Sequence, residues 1–160
     1  HHFDLSDDIE SVKRKQKEVF IQFIRLANFV KKPVIIHCWD AYDDLCEILR
    51  NNLVEKSGVI HSFVGGYKTA GKFIDLGYKI GLNGVITYSD SFIRLVKEID
   101  IEDIVLETDC PYLAPIPKKG ERNEPLYVKY IAEKIAQIKQ MPVEKIMKIT
   151  TRNAKEIFKI

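Results

Sequence analysis

Short apolar runs alternate with longer segments of helical periodicity along almost the whole chain. The four runs, near 33–38, 58–63, 78–82 and 103–108, are continuous in hydrophobicity, which is typical of strands buried on both faces of a parallel sheet. The segments between them repeat apolar residues every three or four positions, as amphipathic helices do. Strands that alternate with helices build βαβ units, so the sequence predicts an α/β fold with a mainly parallel sheet.

Two architectures accommodate four such units in 160 residues. One is an open, doubly wound sheet, and the other is roughly half of a (β/α)8 barrel, a fold that usually needs about 250 residues. Periodicity does not separate them. In both, ligands bind at the carboxyl ends of the strands, so the residues at those ends are the first candidates for function.

Local signals set the expected helix limits. Ser6 and Asp40 are each positioned to cap a helix N-terminus, and Gly77 to end a helix. Pro125 is expected in the first turn of the helix that follows a Pro/Lys/Gly-rich loop at 110–124. Two short helices, "VEKIMKI" and "TRNAKEIFKI", are expected to complete the chain.

Composition narrows the class of protein. The chain is 46% hydrophobic and carries a net charge of +2, which is ample for a core and too weak to attract polyanions globally. Cys38, Cys46 and Cys110 form no CxxC pair, a pattern that favours a reduced, cytoplasmic protein. No apolar run approaches the roughly 18 residues of a membrane span, so no membrane partner is expected, and a monomer is favoured.

Three residues of types that bind metals lie at or just after the ends of predicted strands. His37 ends the first strand, His61 ends the second and Asp109 follows the fourth. Each alone has an ordinary explanation: a hydrogen-bonded histidine at a sheet edge, or an aspartate that starts a turn before Pro111. Their coincidence at one edge points to a divalent ion, because imidazole and carboxylate suit Zn²⁺ or Mn²⁺ and catalytic sites leave a position for water. The pattern by itself leaves both readings open.

Four ordered motifs carry a family resemblance. "PVIIHCWDA", "GVIHSFVGG", "LETDCPYLAP" and "KGERNEP", with the closing "TTRNAKEIF", closely resemble the TatD family of metal-dependent deoxyribonucleases, which are amidohydrolase-like metallo-hydrolase barrels. The resemblance implies a metal-dependent hydrolase that cleaves phosphodiester bonds in DNA, with exonuclease action on single strands. It implies that His37, His61 and Asp109 bind one or two divalent ions (Mg, Mn or Zn), and that Asp109 also accepts a proton from the attacking water.

The resemblance also implies an incomplete ligand set. Family members carry a His-x-His pair on strand one and a bridging Glu on strand four, and neither has a counterpart here. Residues 1–160 are therefore expected to form the C-terminal portion of a single TIM-barrel domain, strands 5–8 with their helices, without strands 1–4. A chain that lacks half of the metal ligands is expected to have little or no activity by itself.

Several residues near the strand ends are candidates for binding substrate. Trp39 stands where the family usually has Arg, and either stacks on a base or packs against the next helix. Lys118, Lys119 and Arg122 are candidates for phosphate contacts, although Lys118 and Lys119 are equally compatible with an ordinary solvated turn. Tyr112 either stacks or packs under its loop. Glu107 either orients a metal ligand or pairs with Arg122, and the ion pair is favoured.

Two other functions stay open at this point. One is a metallo-hydrolase of the same barrel that cleaves an amide or ester bond in a small molecule. The other is a non-catalytic, metal-binding protein, which would suit a chain without the first four strands. Nuclease activity that depends on Asp109 would separate the deoxyribonuclease from both.

Overall fold

The computed structural model describes residues 8–160, and within that range it contains four β-strands and six α-helices. The strands are β1 (Val34–His37), β2 (Gly58–His61), β3 (Lys79–Leu82) and β4 (Ile104–Leu106). The helices are α1 (Ile9–Phe29), α2 (Tyr42–Asn51), α3 (Tyr67–Ile74), α4 (Ser91–Glu98), α5 (Val128–Lys139) and α6 (Val143–Phe158). Short 3-10 helices cover Gly84–Thr87, Ile101–Asp103 and Pro125–Tyr127. None of the helices in residues 8–160 combines the length and apolar character needed to cross a membrane.

The four strands form one parallel sheet in the order in which they occur along the chain, β1-β2-β3-β4. Because parallel crossovers are right-handed, an order without reversal brings successive helices to the same face of the sheet. A doubly wound sheet instead reverses its strand order at a switch point. The predicted α/β class is therefore confirmed, and the strand order is that of a (β/α) barrel rather than of a doubly wound sheet.

One residue type lies at the centre of the sheet on all four strands. Ile36 pairs with Ile60, Ile60 with Ile80, and Ile80 with Ile104, and all four side chains are buried. β-branched side chains pack well on a pleated surface. This isoleucine row belongs to the main hydrophobic core, together with apolar residues of helices α2 to α6.

The opposite face of the sheet carries the polar residues. Side chains alternate between faces along a strand, so His37 and His61, which follow Ile36 and Ile60, are on the face away from the isoleucine row. Glu107 lies an odd number of positions after Ile104, so its side chain is on the face that carries the two histidines. The sheet therefore separates a buried apolar face from a face that bears candidate ligands at its carboxyl end.

The outer edge of β1 has no neighbouring strand within residues 8–160. An open groove of about 1270 Å³ runs between α1, β1 and α2. Its walls include the exposed apolar side chains Phe23, Leu26 and Ile35. This edge is the least covered apolar surface of the described sheet.

Some predicted helix limits are wrong. The closing segment is one helix, α6, rather than two. Thr150 lies at the expected break, but its hydroxyl donates to the carbonyl of Ile146 one turn earlier, so the helix continues through it. Asp40 does not cap α2, because its backbone is left-handed and Ala41 is the N-cap residue. Ser6 lies outside the described residues, where Asp8 is the N-cap of α1.

Candidate metal centre

Two histidines lie side by side at the carboxyl end of the sheet. His37 and His61 are partners in the register between β1 and β2, and their ring centroids are 5.7 Å apart. His37 is exposed at the outer strand, whereas His61 is partly covered by the neighbouring strands. The parallel register alone brings these two imidazoles together, as the sequence predicted.

The ring of His61 lies between two carboxylates. Its Nδ1 atom is 2.6 Å from Oε2 of Glu107, and its Nε2 atom is 3.6 Å from Oδ1 of Asp109. An ionised carboxylate can only accept hydrogen bonds, so its contact with Nδ1 favours the tautomer that carries hydrogen on Nδ1. The lone pair of Nε2 is then directed toward the side of the ring where Asp109 lies.

The spacing of these donors suits a shared divalent ion. Two ligands that are each about 2.0–2.2 Å from one ion, the usual distances for imidazole and carboxylate, are separated by a little over 3 Å in a tetrahedral site. The 3.6 Å between Nε2 of His61 and Oδ1 of Asp109 is close to that value. Within residues 8–160, however, no three His, Cys, Asp or Glu side chains are close enough together to form a complete ion site. The residues present thus fit an ion as a two-donor pair, with His37 beside it.

Glu107 does not form the ion pair that the sequence favoured. In the described part of the chain its partners are His61 and the backbone N–H of Ser62, which donates to Oε1 at 2.5 Å, while Arg122 is exposed and elsewhere in the loop. The expected pairing with Arg122 is therefore wrong. The reason is strand geometry: Glu107 continues the ladder after β4, since its N–H donates to the carbonyl of Leu82, and its side chain is directed across the sheet instead of into the loop.

A glycine on β3 makes room for this crossing. Gly81 lies between Glu107 and His61, and a Cβ atom at that position would be 3.1 Å from the carboxyl group of Glu107. That separation is shorter than ordinary van der Waals contact. The absence of a side chain at residue 81 is thus part of the geometry that allows a carboxylate on β4 to reach an imidazole on β2.

The carboxylates change the acidity of the histidine. The hydrogen bond that His61 donates to Glu107 is the main cause that holds the pKa of His61 above its ordinary value. Partial burial opposes this rise, and the negative charges of Glu107 and Asp109 add to it. A carboxylate on Nδ1 also makes the imidazole a stronger electron donor at Nε2. Glu107 therefore orients the ring of His61, and Glu107 and Asp109 together increase its basicity.

Asp109 lies in a left-handed turn. Its φ angle is 59°, a conformation that aspartate tolerates better than most residues. The N–H of Tyr112 donates to the carbonyl of Asp109 at 3.0 Å. The turn interpretation of Asp109 and the ligand interpretation are thus compatible, because the backbone makes the turn while the carboxylate faces His61.

Asn83 is a site residue that sequence reasoning missed. It follows β3, is only 2% exposed, and its Nδ2 donates to Oγ of Ser62 at 2.8 Å and is 3.5 Å from Oδ2 of Asp109. Its Oδ1 accepts from the N–H of Val85, which begins a 3-10 turn. A polar residue directly after "KIGL", at the same end of the sheet as the histidines, was the signal available in the sequence.

The candidate substrate-binding residues differ in accessibility. Trp39 and Tyr112 are both largely exposed, so Trp39 does not pack against α2. Lys118 forms an ion pair with Glu121, and the ammonium of Lys119 lies 4.5 Å from the ring centroid of Tyr88. Tyr112 in the loop and Trp39 after β1 are therefore exposed aromatic surfaces, whereas the charge of Lys118 is partly neutralised by Glu121.

Known proteins resemble this chain in sequence and in fold. The chain is 41% identical over 163 residues to "Uncharacterized metal-dependent hydrolase YabD" of Bacillus subtilis, which covers all of this chain and 62% of that protein. It is 37% identical over 151 residues to "Uncharacterized metal-dependent hydrolase YcfH" of Escherichia coli K12, covering 92% of this chain and 57% of that protein. The chain thus spans about three fifths of the length of these curated relatives.

The crystal structure of YJJV, a TATD homolog from Escherichia coli K12, superimposes with a TM-score of 0.88 at 27% identity, over 99% of this chain and 61% of that one. A hydrolase TatD family protein from Entamoeba histolytica superimposes with a TM-score of 0.82 at 22% identity, which shows likeness of fold. The family model described as TatD related DNase matches residues 3–159. The resemblance carried by the four motifs is therefore confirmed, and the chain belongs to the TatD related DNase family.

Proposed function

We propose that this chain supplies part of the active site of a metal-dependent hydrolase that cleaves phosphodiester bonds in DNA. The observation that carries the proposal is the position of His61 between Glu107 and Asp109, with Nε2 3.6 Å from the Asp109 carboxylate. The relatives YabD and YcfH are named metal-dependent hydrolases, which supports the use of divalent ions. In this proposal His37, His61 and Asp109 hold one or two ions, and Mg²⁺, Mn²⁺ and Zn²⁺ are the candidates.

A divalent ion bound at this position lowers the pKa of a bound water and polarises a phosphoryl oxygen. The protein groups around it have distinct tasks. Glu107 fixes the tautomer and orientation of His61 through Nδ1. Asp109 would help to hold the ion and would accept a proton from the attacking water, and its Oδ2 lies 3.5 Å from the amide nitrogen of Asn83. Asp109 is thus the proposed catalytic residue.

We also propose that β1 to β4 correspond to strands 5–8 of a (β/α)8 barrel, and that residues 1–160 lie in one such domain. The consecutive parallel order supports this, as does the overlap with about three fifths of a longer TatD homolog. For the 160-residue chain alone we expect weak or no turnover, because the sequence contains no His-x-His pair to complete the ligand set. Vigorous nuclease activity from this chain alone would contradict that expectation.

The proposed substrate is single-stranded DNA, with a monomeric enzyme in the cytoplasm. Exposed Trp39 and Tyr112 could stack on bases, and base stacking contributes about 1–3 kcal/mol per base in single-strand binders. Arg122 and Lys118 are the candidate phosphate contacts. The three thiols, none of them in a disulfide, support a reducing compartment.

The decisive experiment measures degradation of an end-labelled single-stranded oligonucleotide by the longest natural form of the protein, with Mg²⁺, Mn²⁺ or Zn²⁺ added after chelation. We expect metal-dependent shortening that Asp109→Asn abolishes. Asp75→Asn is the matched control, since Asp75 is exposed at the end of α3, away from the carboxyl ends of the strands. Hydrolysis of small amide or ester substrates without DNA cleavage would favour the other metallo-hydrolase function, and metal binding without turnover would favour the non-catalytic one.

A further inference from the structure

A single buried side chain fastens the turn that carries Asp109. We call residues 108–113, between β4 and the proline-rich loop, the Asp109 turn. Asn123 is 2% exposed, and its Nδ2 donates to the backbone carbonyls of Thr108 and Tyr112, each at 2.6 Å. Its own N–H donates to the carbonyl of Pro111 at 3.1 Å. Three carbonyls of one short segment are therefore held by one residue.

The chemistry at this position requires an amide side chain. Nδ2 donates twice, while Oδ1 accepts from the N–H of Glu124 at 2.9 Å. An aspartate at residue 123 would direct a carboxylate at two carbonyl oxygens, and an alanine would leave the carbonyls of Thr108 and Tyr112 without this donor. All three partners of the side chain belong to the connection between β4 and α5, so the requirement for an amide arises within that connection.

The turn thus held has a conformation that needs support. Asp109 and Leu113 both have left-handed backbones, with φ angles of 59° and 55°. Such angles in residues other than glycine cost free energy and persist when neighbouring contacts fix them. The carbonyl of Thr108, one of the two that Asn123 binds, belongs to the peptide that precedes Asp109. The amide of Asn123 is therefore hydrogen-bonded to the peptide unit that joins Thr108 to Asp109, and the backbone there orients the Asp109 carboxylate.

We propose that Asn123 is a positioning residue of the metal centre: it holds the Asp109 turn so that the Asp109 carboxylate faces His61. This inference rests on the proposed function, in which Asp109 is a metal ligand. Asn123 touches neither the ion nor the substrate in this scheme. It acts through the backbone of the turn. Its replacement should therefore reduce metal affinity by more than would follow from the loss of fold stability alone.

The chain contains a matched control for this role. Asn153 of α6 is 1% exposed, and its Nδ2 also donates to two backbone carbonyls, those of Ile101 at 2.9 Å and Ile104 at 2.8 Å. These carbonyls lie at the start of β4, whereas the Asp109 turn follows its end. Asn123 and Asn153 thus make the same pair of bonds at opposite ends of one strand, and only Asn123 does so beside the candidate ligands.

The experiment compares Asn123→Ala, Asn123→Asp and the milder Asn123→Ser with the same three substitutions at Asn153, all in the longest natural form of the protein. Mn²⁺ binding is measured by calorimetry, the midpoint of thermal unfolding by circular dichroism, and exchange of the Tyr112 amide by NMR. We expect the Asn123 variants to lose about 10- to 100-fold in Mn²⁺ affinity, the range for groups that orient metal ligands. The Tyr112 amide, which donates to Asp109, should exchange faster in them. The Asn153 variants should lose thermal stability while Mn²⁺ affinity and Tyr112 exchange stay near the parent values.

Two results would overturn the inference: Asn123→Ser with unchanged Mn²⁺ affinity and unchanged Tyr112 exchange, or Asn153 variants that lose as much affinity as the Asn123 variants. If alanine at residue 123 prevents folding, the serine variant still decides, because its hydroxyl retains one hydrogen-bond donor on this side chain. If the parent protein in its longest natural form binds no Mn²⁺, the proposed function fails at that point. The exchange measurement then still shows whether Asn123 fixes the Asp109 turn.

Discussion

Oε2 of Glu107 lies 2.6 Å from Nδ1 of His61, so a carboxylate on the fourth strand orients an imidazole on the second. The side chain crosses the strand between them above Gly81. Its other oxygen accepts the N–H of Ser62, which leaves the carboxylate little freedom to turn away. The imidazole is therefore oriented by protein groups alone.

Replacing Glu107 with Gln should weaken metal binding without unfolding the protein. The amide keeps the size of the side chain but removes the charge that makes Nε2 of His61 a stronger donor. We expect Mn²⁺ affinity to fall by about 10- to 100-fold, measured by calorimetry. Glu98→Gln, on an exposed position of α4, should leave it unchanged; equal losses in both variants would rule out a special role for Glu107.

The free energy of unfolding of the metal-free protein should depend on pH through the ionisation of His61. The folded-state pKa is raised, chiefly by the Glu107 hydrogen bond, above the unfolded value of about 6.5. The stabilising contribution is therefore fully present below the unfolded pKa and is lost as pH rises through the folded pKa. Urea unfolding with chelator across this range should show that loss in the parent and a smaller one in Glu107→Gln. NMR titration of the His61 ring should give a lower pKa in the variant, and an unchanged pKa would contradict the assignment of its cause.

Adding a methyl group at residue 81 should disturb the same pair from a third strand. In Gly81→Ala the new Cβ would approach the Glu107 carboxyl to 3.1 Å, so the carboxylate must shift from His61. We expect weaker Mn²⁺ binding and a lower His61 pKa. Gly71→Ala is the control, since a Cβ there meets nothing within 4 Å, and alanine inside a helix should stabilise by about 0.5–1 kcal/mol. A Gly81→Ala protein with parent-like metal affinity would show that Glu107 adjusts without consequence.

The three cysteines should differ sharply in reactivity. Cys110 is exposed, whereas Cys38 and Cys46 are buried, and burial is the main cause that raises the pKa of Cys38. Since the thiolate is the reactive form, native protein at neutral pH should react quickly with a chromogenic disulfide reagent at one thiol. Denaturant should release the other two, and Cys110→Ser should remove the fast phase. A fast phase that persists in Cys110→Ser would mean that a buried thiol is accessible.

The sequence predicted what short-range patterns determine. Continuous apolar runs located the strands, and the strand ends then located His37, His61 and Asp109, because parallel strands share one carboxyl edge. Their order along the sheet was not decidable from periodicity, since a half barrel and a doubly wound sheet use the same local units. The observed order β1-β2-β3-β4 resolved that alternative.

Contacts between segments distant in the chain were the part that the sequence did not reveal. The partner of Glu107 depends on which strand lies next to β4 and on a glycine in that strand. Because local patterns do not give this order, the ion pair with Arg122 was favoured instead. Asn83 and Asn123 were missed for a related reason: an asparagine in a loop is ordinary, and its importance arises from burial against backbone carbonyls. Asp40 was expected to cap α2, but it adopts a left-handed backbone, which aspartate tolerates, in the turn that precedes the helix.

Removal of the exposed aromatic at the strand ends should affect DNA binding and leave the fold intact. Trp39 is 77% exposed, so Trp39→Ala should change the free energy of unfolding by no more than about 0.5 kcal/mol, as is usual for surface substitutions. Loss of one stacked base should weaken binding of a single-stranded oligonucleotide by about 1–3 kcal/mol, measured by fluorescence anisotropy with Ca²⁺ in place of the active metal. Phe29→Ala is the control: Phe29 is 85% exposed but ends α1 ahead of β1, at the opposite end of the sheet. Equal oligonucleotide affinity in the parent and Trp39→Ala would exclude Trp39 from the DNA-binding surface.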